Sequence, residues 1–135
     1  MTPESYIDSI KITLATSSIV RCIDMLQERT HDLSGFIRIR LRLINDDFME
    51  LVEFFKVIDD QVETVEYRYQ WMNPEKTILR KRWDNAPHHP ELPNFPHHVH
   101  TGNNGRILAG QVIGIVSFID MLEESLNDHR YSSGL

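Results

Sequence analysis

The chain has little of what several familiar chemistries require. Its single cysteine, Cys22, cannot close an intramolecular disulfide and has no second thiolate with which to bind a metal. Its apolar context IVRCIDML predicts a buried structural thiol, since reactive cysteines need an accessible, electropositive setting. No apolar run reaches the ~20 residues that cross a bilayer, so no membrane span or membrane partner is expected. The N-terminal residues MTPESYIDSIKIT lack a cationic stretch followed by an apolar one, so no secretory signal is expected and the cytoplasm is the expected location. There is no glycine-rich phosphate loop; GNNGR offers only Gly102 and Gly105, which disfavours nucleoside triphosphate hydrolysis. A net charge of -6 argues against coating duplex DNA through bulk electrostatics, though not against a local basic site.

What remains is 135 residues, 41% hydrophobic and 25% charged, the profile of one ordinary domain spanning 1–135. Charge is unevenly spread. Both ends are acidic, whereas residues 78–106 carry Arg80, Lys81, Arg82 and Arg106 against Asp84 and Glu91, with five of the seven histidines. An anion would choose this stretch.

Tyr6, Ile7, Ile10 and Leu14 recur at helical spacing behind Pro3, predicting a short amphipathic helix from Pro3 to about Ala15. Ile19 to Glu28 has a β-branched start and is read as a strand. In FIRIRLRLI, Ile37, Ile39, Leu41 and Leu43 alternate with Arg38, Arg40 and Arg42, a period of two that only a half-buried strand satisfies. Asn45-Asp46-Asp47, Asp59-Asp60 and Asn73-Pro74-Glu75 are turn chemistry. They separate the strands Phe48–Val57, Val62–Trp71 and Thr77–Trp83.

Residues 84–105, with four of the six prolines, are read as one long functional loop. Asn103, Asn104 and Gly105 would cap a helix whose stripe is Leu108, Val112, Ile115, Ile119, Leu122 and Leu126. The expected fold is α+β: an N-terminal helix, a four- to five-stranded antiparallel meander and a long C-terminal helix packed on one sheet face. Exposed strand edges make a homodimer the default assembly.

The informative residues are YRYQW at 67–71 and RKRWDNAPHHPELPNFPHHVH at 80–100. A sheet core gains little from three consecutive cations and five histidines in a proline-stiffened loop. Histidine exchanges protons near neutral pH, with an ordinary pKa of about 6.5. RNA supplies its own nucleophile: attack of the ribose 2'-hydroxyl on phosphorus needs a base, an acid for the 5'-oxygen and cations on the phosphorane. One of His88 or His89 as base, one of His97 or His98 as acid, and Arg80 and Arg82 projecting to one face as a phosphate clamp would meet that need. Tyr67, Tyr69 and Trp71 could stack bases, and either phenol could take a proton-transfer role if nearby cations lowered its pKa from about 10. No cofactor is required.

Other readings of the same residues stand beside this one. His98 and His100, at i and i+2 of an extended segment, could ligate a transition metal with Asp84 or Glu91. The histidines could be loop staples bonded to backbone. Asp84 and Asn85 either orient a histidine or close a turn. The arginine ladder is read as a solvated sheet face paired with Glu50, Glu66 and other acids, Trp83 as core and Phe95 as a loop anchor.

Through GFIRIRLRL, LVEFFKV, VEYRYQW and above all RWDNAPHHPELPNFPHHVH, the chain resembles the TumE family of toxins from toxin-antitoxin modules. The resemblance covers most of the chain. It implies a growth-inhibiting toxin masked by a cognate antitoxin, of a kind that is usually an endoribonuclease. It marks Tyr67, Tyr69, Arg82, Trp83, Asp84, Asn85, His88, His89, His97 and His98 as the site, without assigning their roles. The same chemistry could instead cut cyclic oligoadenylate messengers in CRISPR-linked defence, and a silent nucleic-acid or protein binding module is the third expectation.

Overall fold

The computed structural model describes residues 1–102 and 104–133, so Asn103, expected to help cap a helix, lies outside the described residues. The elements run α1 (Pro3–Ala15), β1 (Val20–His31), β2 (Ser34–Leu43), β3 (Phe48–Ile58), β4 (Gln61–Met72), β5 (Leu79–Asp84), β6 (His98–Thr101), β7 (Ile107–Ala109) and α2 (Ile115–Ser133). The strands form one antiparallel meander in chain order. The α+β class is as expected, but seven strands replace the expected four or five.

Local chemistry explains the borders. Thr2 caps α1, accepting from the Ser5 amide at 3.0 Å, and Pro3 occupies the first turn, where its missing N–H costs nothing. Asp59 and Asp60, both at positive φ, make the two-residue turn between β3 and β4. Asn73 knits the next turn, its Oδ1 accepting from the amides of Thr77 and Ile78 at 2.8 Å each.

Ile37, Ile39 and Leu41 of β2, Met49, Leu51 and Phe55 of β3 and Tyr69 of β4 are buried on one face. Tyr6, Ile7, Ile10 and Leu14 of α1 and Ile115, Phe118, Ile119 and Leu122 of α2 close the same core. Both helices therefore cover one side of the sheet, and the arginine-bearing side is left without a layer.

Three expectations are corrected. The stretch 84–105 is not all loop, since His98–Thr101 pairs with β5, and Ile107–Ala109, expected to open the helix, pairs with β6 instead. The second helix begins only at Ile115, so Leu108 and Val112 do not join its stripe and are 41% and 51% exposed. Gly110 and Gly114, poor helix residues, lie in the break. Cys22 is exposed, because β1 is an edge strand with almost every side chain in solvent. Arg21, Asp24, Glu28 and Arg29 keep that edge charged, as edge strands require.

Candidate active site

The open face is organised by register. Arg38 of β2, Val52 of β3, Arg68 of β4, Asp84 of β5 and His98 of β6 are successive ladder partners, forming one row across the sheet. Two residues along, Arg40, Glu50, Gln70, Arg82 and His100 form the next row. Side chains two apart on a strand share a face, so both rows stand on the side away from the helices.

At the β5–β6 end the rows converge on a compact polar cluster. His98 is 1% exposed, with Nε2 2.9 Å from Asp84 Oδ1 and Nδ1 2.8 Å from the Pro96 carbonyl. Both neighbours accept hydrogen bonds, so the state that satisfies both ring nitrogens is the imidazolium paired with the Asp84 carboxylate. Asp84 also accepts from the Ala86 amide at 3.0 Å and from Arg82 Nε at 3.0 Å. It thus both orients a histidine and closes a turn.

His100 Nε2 lies 3.1 Å from an Arg82 terminal nitrogen, and as a guanidinium only donates, that imidazole nitrogen holds a lone pair. Burial, then the charges of Arg82, His98 and His89, push the His100 pKa below its ordinary value against the opposing pull of Asp84. His89, at positive φ in the loop after β5, brings its ring 5.3 Å from that of His98 and 5.9 Å from that of His100. Its Nδ1 is 3.5 Å from Glu91. His88 is exposed at the rim, 6.4 Å from His89 between ring centroids.

His89, His98 and His100 each offer a nitrogen within 4.8 Å of the others, a set that could hold a transition metal ion. Metal–nitrogen bonds of about 2.0–2.1 Å would require the rings to draw together and His98 to leave Asp84 or Pro96.

Several expected residues stand elsewhere. His97 faces Tyr67, stacked at 13° with 5.8 Å between ring centroids, and its Nδ1 is 3.0 Å from the Tyr67 hydroxyl. Burial and the neighbouring His98 lower its pKa. The Tyr69 hydroxyl donates to the Ile113 carbonyl at 2.8 Å inside the core. The phenols are not activated: burial, aided by the Asp84 charge, pushes Tyr67 up to about 12, and burial holds Tyr69 well above its ordinary value. Trp71 donates from its indole to Asp47 at 2.9 Å, so its polar edge is committed to a structural partner.

Arg80 and Arg82 do not form a clamp. A register shift beside Trp71 and Met72 leaves Arg80 out of the ladder, and its Nε lies 2.7 Å from Asp47 instead. Asn85 ties the loop down, accepting from the Tyr67 amide at 3.0 Å and donating to the Val65 carbonyl at 2.8 Å. Trp83 packs against the core as expected, edge-on to Phe118, whereas Phe95 is 44% exposed and anchors little.

His100 and Arg68 were not among the expected proton-transfer or phosphate groups. The signal for His100 was the His98–His100 spacing, and for Arg68 the alternation of Glu66, Arg68 and Gln70 against the tyrosines.

The cluster opens into a groove of about 600 Å³ whose lining includes Arg82, Asp84, His88, His98 and His100 at one end and Phe36, Val52, Phe54 and Arg68 at the other. No helix among the described residues is long and apolar enough to cross a membrane. A search of the curated proteins gives no match to the chain, and neither does one of the solved structures. A family model described as Toxin TumE matches residues 10–130. That match takes in every strand, the C-terminal part of α1 and most of α2, and the chain belongs to the TumE family of toxins.

Proposed function

We propose that this toxin is a metal-independent endoribonuclease whose proton transfers run through the imidazoles beside Arg82. The observation that carries the reading is a lone-pair imidazole, His100, held against the Arg82 guanidinium, with a second, half-buried imidazole, His89, 5.9 Å from it between ring centroids. A phosphate entering the groove draws Arg82 away from His100 and uncovers the base. His100 takes the proton of the 2'-hydroxyl as the 2'-oxygen bonds to phosphorus. The P–O5' bond breaks, and His89, protonated at the start of the cycle, gives its proton to the leaving oxygen. Arg82 neutralises the phosphorane, and the products are a 2',3'-cyclic phosphate and a 5'-hydroxyl. His98, held between Asp84 and the Pro96 carbonyl, is a positioning residue that fixes Asp84 and, through it, Arg82.

The toxin role supports a cognate antitoxin as partner. The outer edges of β1 and β7, which pair with no strand among the described residues, support the homodimer.

The test is incubation of purified protein with labelled total RNA and, separately, with cyclic tetra-adenylate, each with excess chelator. Cleavage of RNA to 2',3'-cyclic phosphate ends, lost in His100→Ala and His89→Ala, is the expected result. Cleavage only when metal is restored would move the histidines to ligation. Turnover of the cyclic substrate alone would make the protein a messenger-degrading phosphodiesterase, and binding without products a silent module.

A further inference from the structure

The ladder rows continue beyond the imidazoles in a direction that proton transfer does not explain. Arg68, Arg40 and Arg38 all converge on Glu50: Arg68 and Arg40 each place a nitrogen 3.1 Å from a carboxylate oxygen, and Arg38 does so at 3.3 Å. Although partial burial works to raise it, the hydrogen bonds and charges of Arg40, Arg38 and Arg68 hold the Glu50 pKa below the usual carboxylate value. One carboxylate cannot neutralise three guanidiniums. Across the two rows Arg38, Arg40, Arg68 and Arg82 face Glu50, Asp84 and, at the β1 edge, Asp24, and Asp84 is also matched by His98. The Nε of Arg38 is buried without a hydrogen-bond partner among the described residues. A donor in that condition is costly unless something supplies an acceptor.

One row further on, Phe36 and Phe54 are direct cross-strand partners on the same open face, half-buried where a solvated sheet face would carry polar groups. They line the groove that reaches the imidazoles. The guanidinium of Arg29 stands 5.0 Å from the Phe36 ring centre, adding a fifth cation at that end. Asp24, opposite Arg40, and Glu66, opposite Phe54, bound the basic strip on its two sides.

We propose that this strip is a binding track for single-stranded RNA, with phosphates on Arg68, Arg38 and Arg40 and a base stacked on the Phe36–Phe54 pair. The inference rests on the ribonuclease reading for its orientation, since it leads the strand to the Arg82 cluster. From β6 to β2 is four strand spacings of about 4.8 Å, or ~19 Å, so the track runs well beyond a single phosphodiester. Alternating cations and aromatic faces on an uncovered sheet suit unstacked bases, which duplex RNA would keep hidden. Glu50 holds the guanidiniums in place in the absence of RNA and gives them up to phosphates.

The test uses the whole protein and a fluorescent single-stranded oligoribonucleotide, 2'-O-methylated so that no nucleophile is present, with anisotropy read across a salt series. The expected result is that Arg38→Ala/Arg68→Ala weakens binding by about tenfold or more. It also lowers the slope of log affinity against log salt by about 1.4, roughly 0.7 for each phosphate no longer neutralised. Glu50→Gln, which removes the competing carboxylate, tightens binding instead, and its opposite sign separates the track from any loss of folding in the arginine variant. Unchanged affinity and slope in both variants would overturn the proposal, as would cyclic tetra-adenylate binding where the linear strand does not, or the absence of binding by the parent protein. Unmodified RNA is assayed in parallel. Binding that depends on these residues with no cleavage keeps the track and removes the ribonuclease, whereas cleavage indifferent to them removes the track alone.

Discussion

Asp84 and His98 meet at paired ladder positions of β5 and β6, Oδ1 to Nε2 at 2.9 Å, with both side chains almost wholly out of solvent. The pair belongs to the sheet as much as to the site. Removing one partner of a buried ion pair leaves the other charge unmatched, at a cost of about 3–5 kcal/mol, against total stabilities of about 5–15 kcal/mol for a domain. Asp84→Asn is therefore expected to lower stability by about 3 kcal/mol in urea titration, and His98→Gln by less, because Asp84 keeps its contact with Arg82. The double variant should lose clearly less than the sum, because no lone charge remains. Strict additivity would mean that the two do not form an ion pair.

The pH dependence of cleavage discriminates between candidate bases. Burial, together with Arg82, His98 and His89, holds His100 below the ordinary imidazole pKa, so it stays neutral to lower pH than an ordinary imidazole does. The acidic limb of kcat/KM should then lie below pH ~6.5, rising as His100 loses its proton. Substituting Arg82 with Gln removes one lowering charge and should move that limb to higher pH while cutting turnover by about 100-fold or more. A limb that ignores Arg82 would assign the base elsewhere.

How much was legible beforehand follows physical lines. The alternation of Ile37, Ile39 and Leu41 with Arg38 and Arg40 fixed β2 and both of its faces, because burial on one side leaves no other arrangement. The grouping of Arg82, Asp84 and the histidines as candidate site residues was legible because such residues gain little in a core. Its internal assignments were not. Whether His97 or His98 turns to Asp84 depends on where β6 starts, and a four-residue strand between prolines and a glycine turn carries too little pattern to show it. Arg80 was lost to the site through a bulge, which no periodicity announces. The start of α2 was misplaced because Leu108 and Val112 keep helical phase in sequence while Gly110 and Gly114 break it in space.

Glu53 gives the fold its own pH dependence. Wholly buried, it accepts from the Tyr6 hydroxyl at 2.8 Å, the Thr64 hydroxyl at 2.6 Å and the Ile115 amide at 3.0 Å, joining α1, β4 and the start of α2. Burial raises its pKa even though those donors, Thr64 foremost, pull it down. A carboxyl group raised in the folded state contributes stability that is full below its unfolded value of about 4.3 and is lost as pH rises through the folded value. Urea midpoints of the parent protein should therefore fall over that window relative to those of Glu53→Gln, which has no proton to lose there. Comparing the two removes the opposite contribution of Glu50, present in both. A constant difference at all pH values would mean that Glu53 titrates as it does in the unfolded chain.

Gly102 links the fold to the site most directly. It follows β6 in the turn towards β7, its amide donates to the Arg80 carbonyl at 2.9 Å, and a Cβ placed there would stand 1.5 Å from the Leu79 carbonyl oxygen. Neither atom can yield cheaply, since both belong to backbone in the β5–β6 contact. Gly102→Ala must therefore push β6 away from β5 at its far end, next to the Arg82–His100 pairing. Overpacking of this kind costs typically about 1–3 kcal/mol. If His100 is the base proposed above, the larger effect should fall on chemistry, because displacing it by about 1 Å can cost on the order of 100-fold in rate. The expected result is a folded protein by circular dichroism with turnover down by that factor, and the same substitution at Gly105, where a Cβ would meet nothing within 4 Å but φ is +65°, should cost stability with little loss of activity. Equal effects at both glycines would show that the β6–β7 turn matters only as a turn and does not set the position of His100.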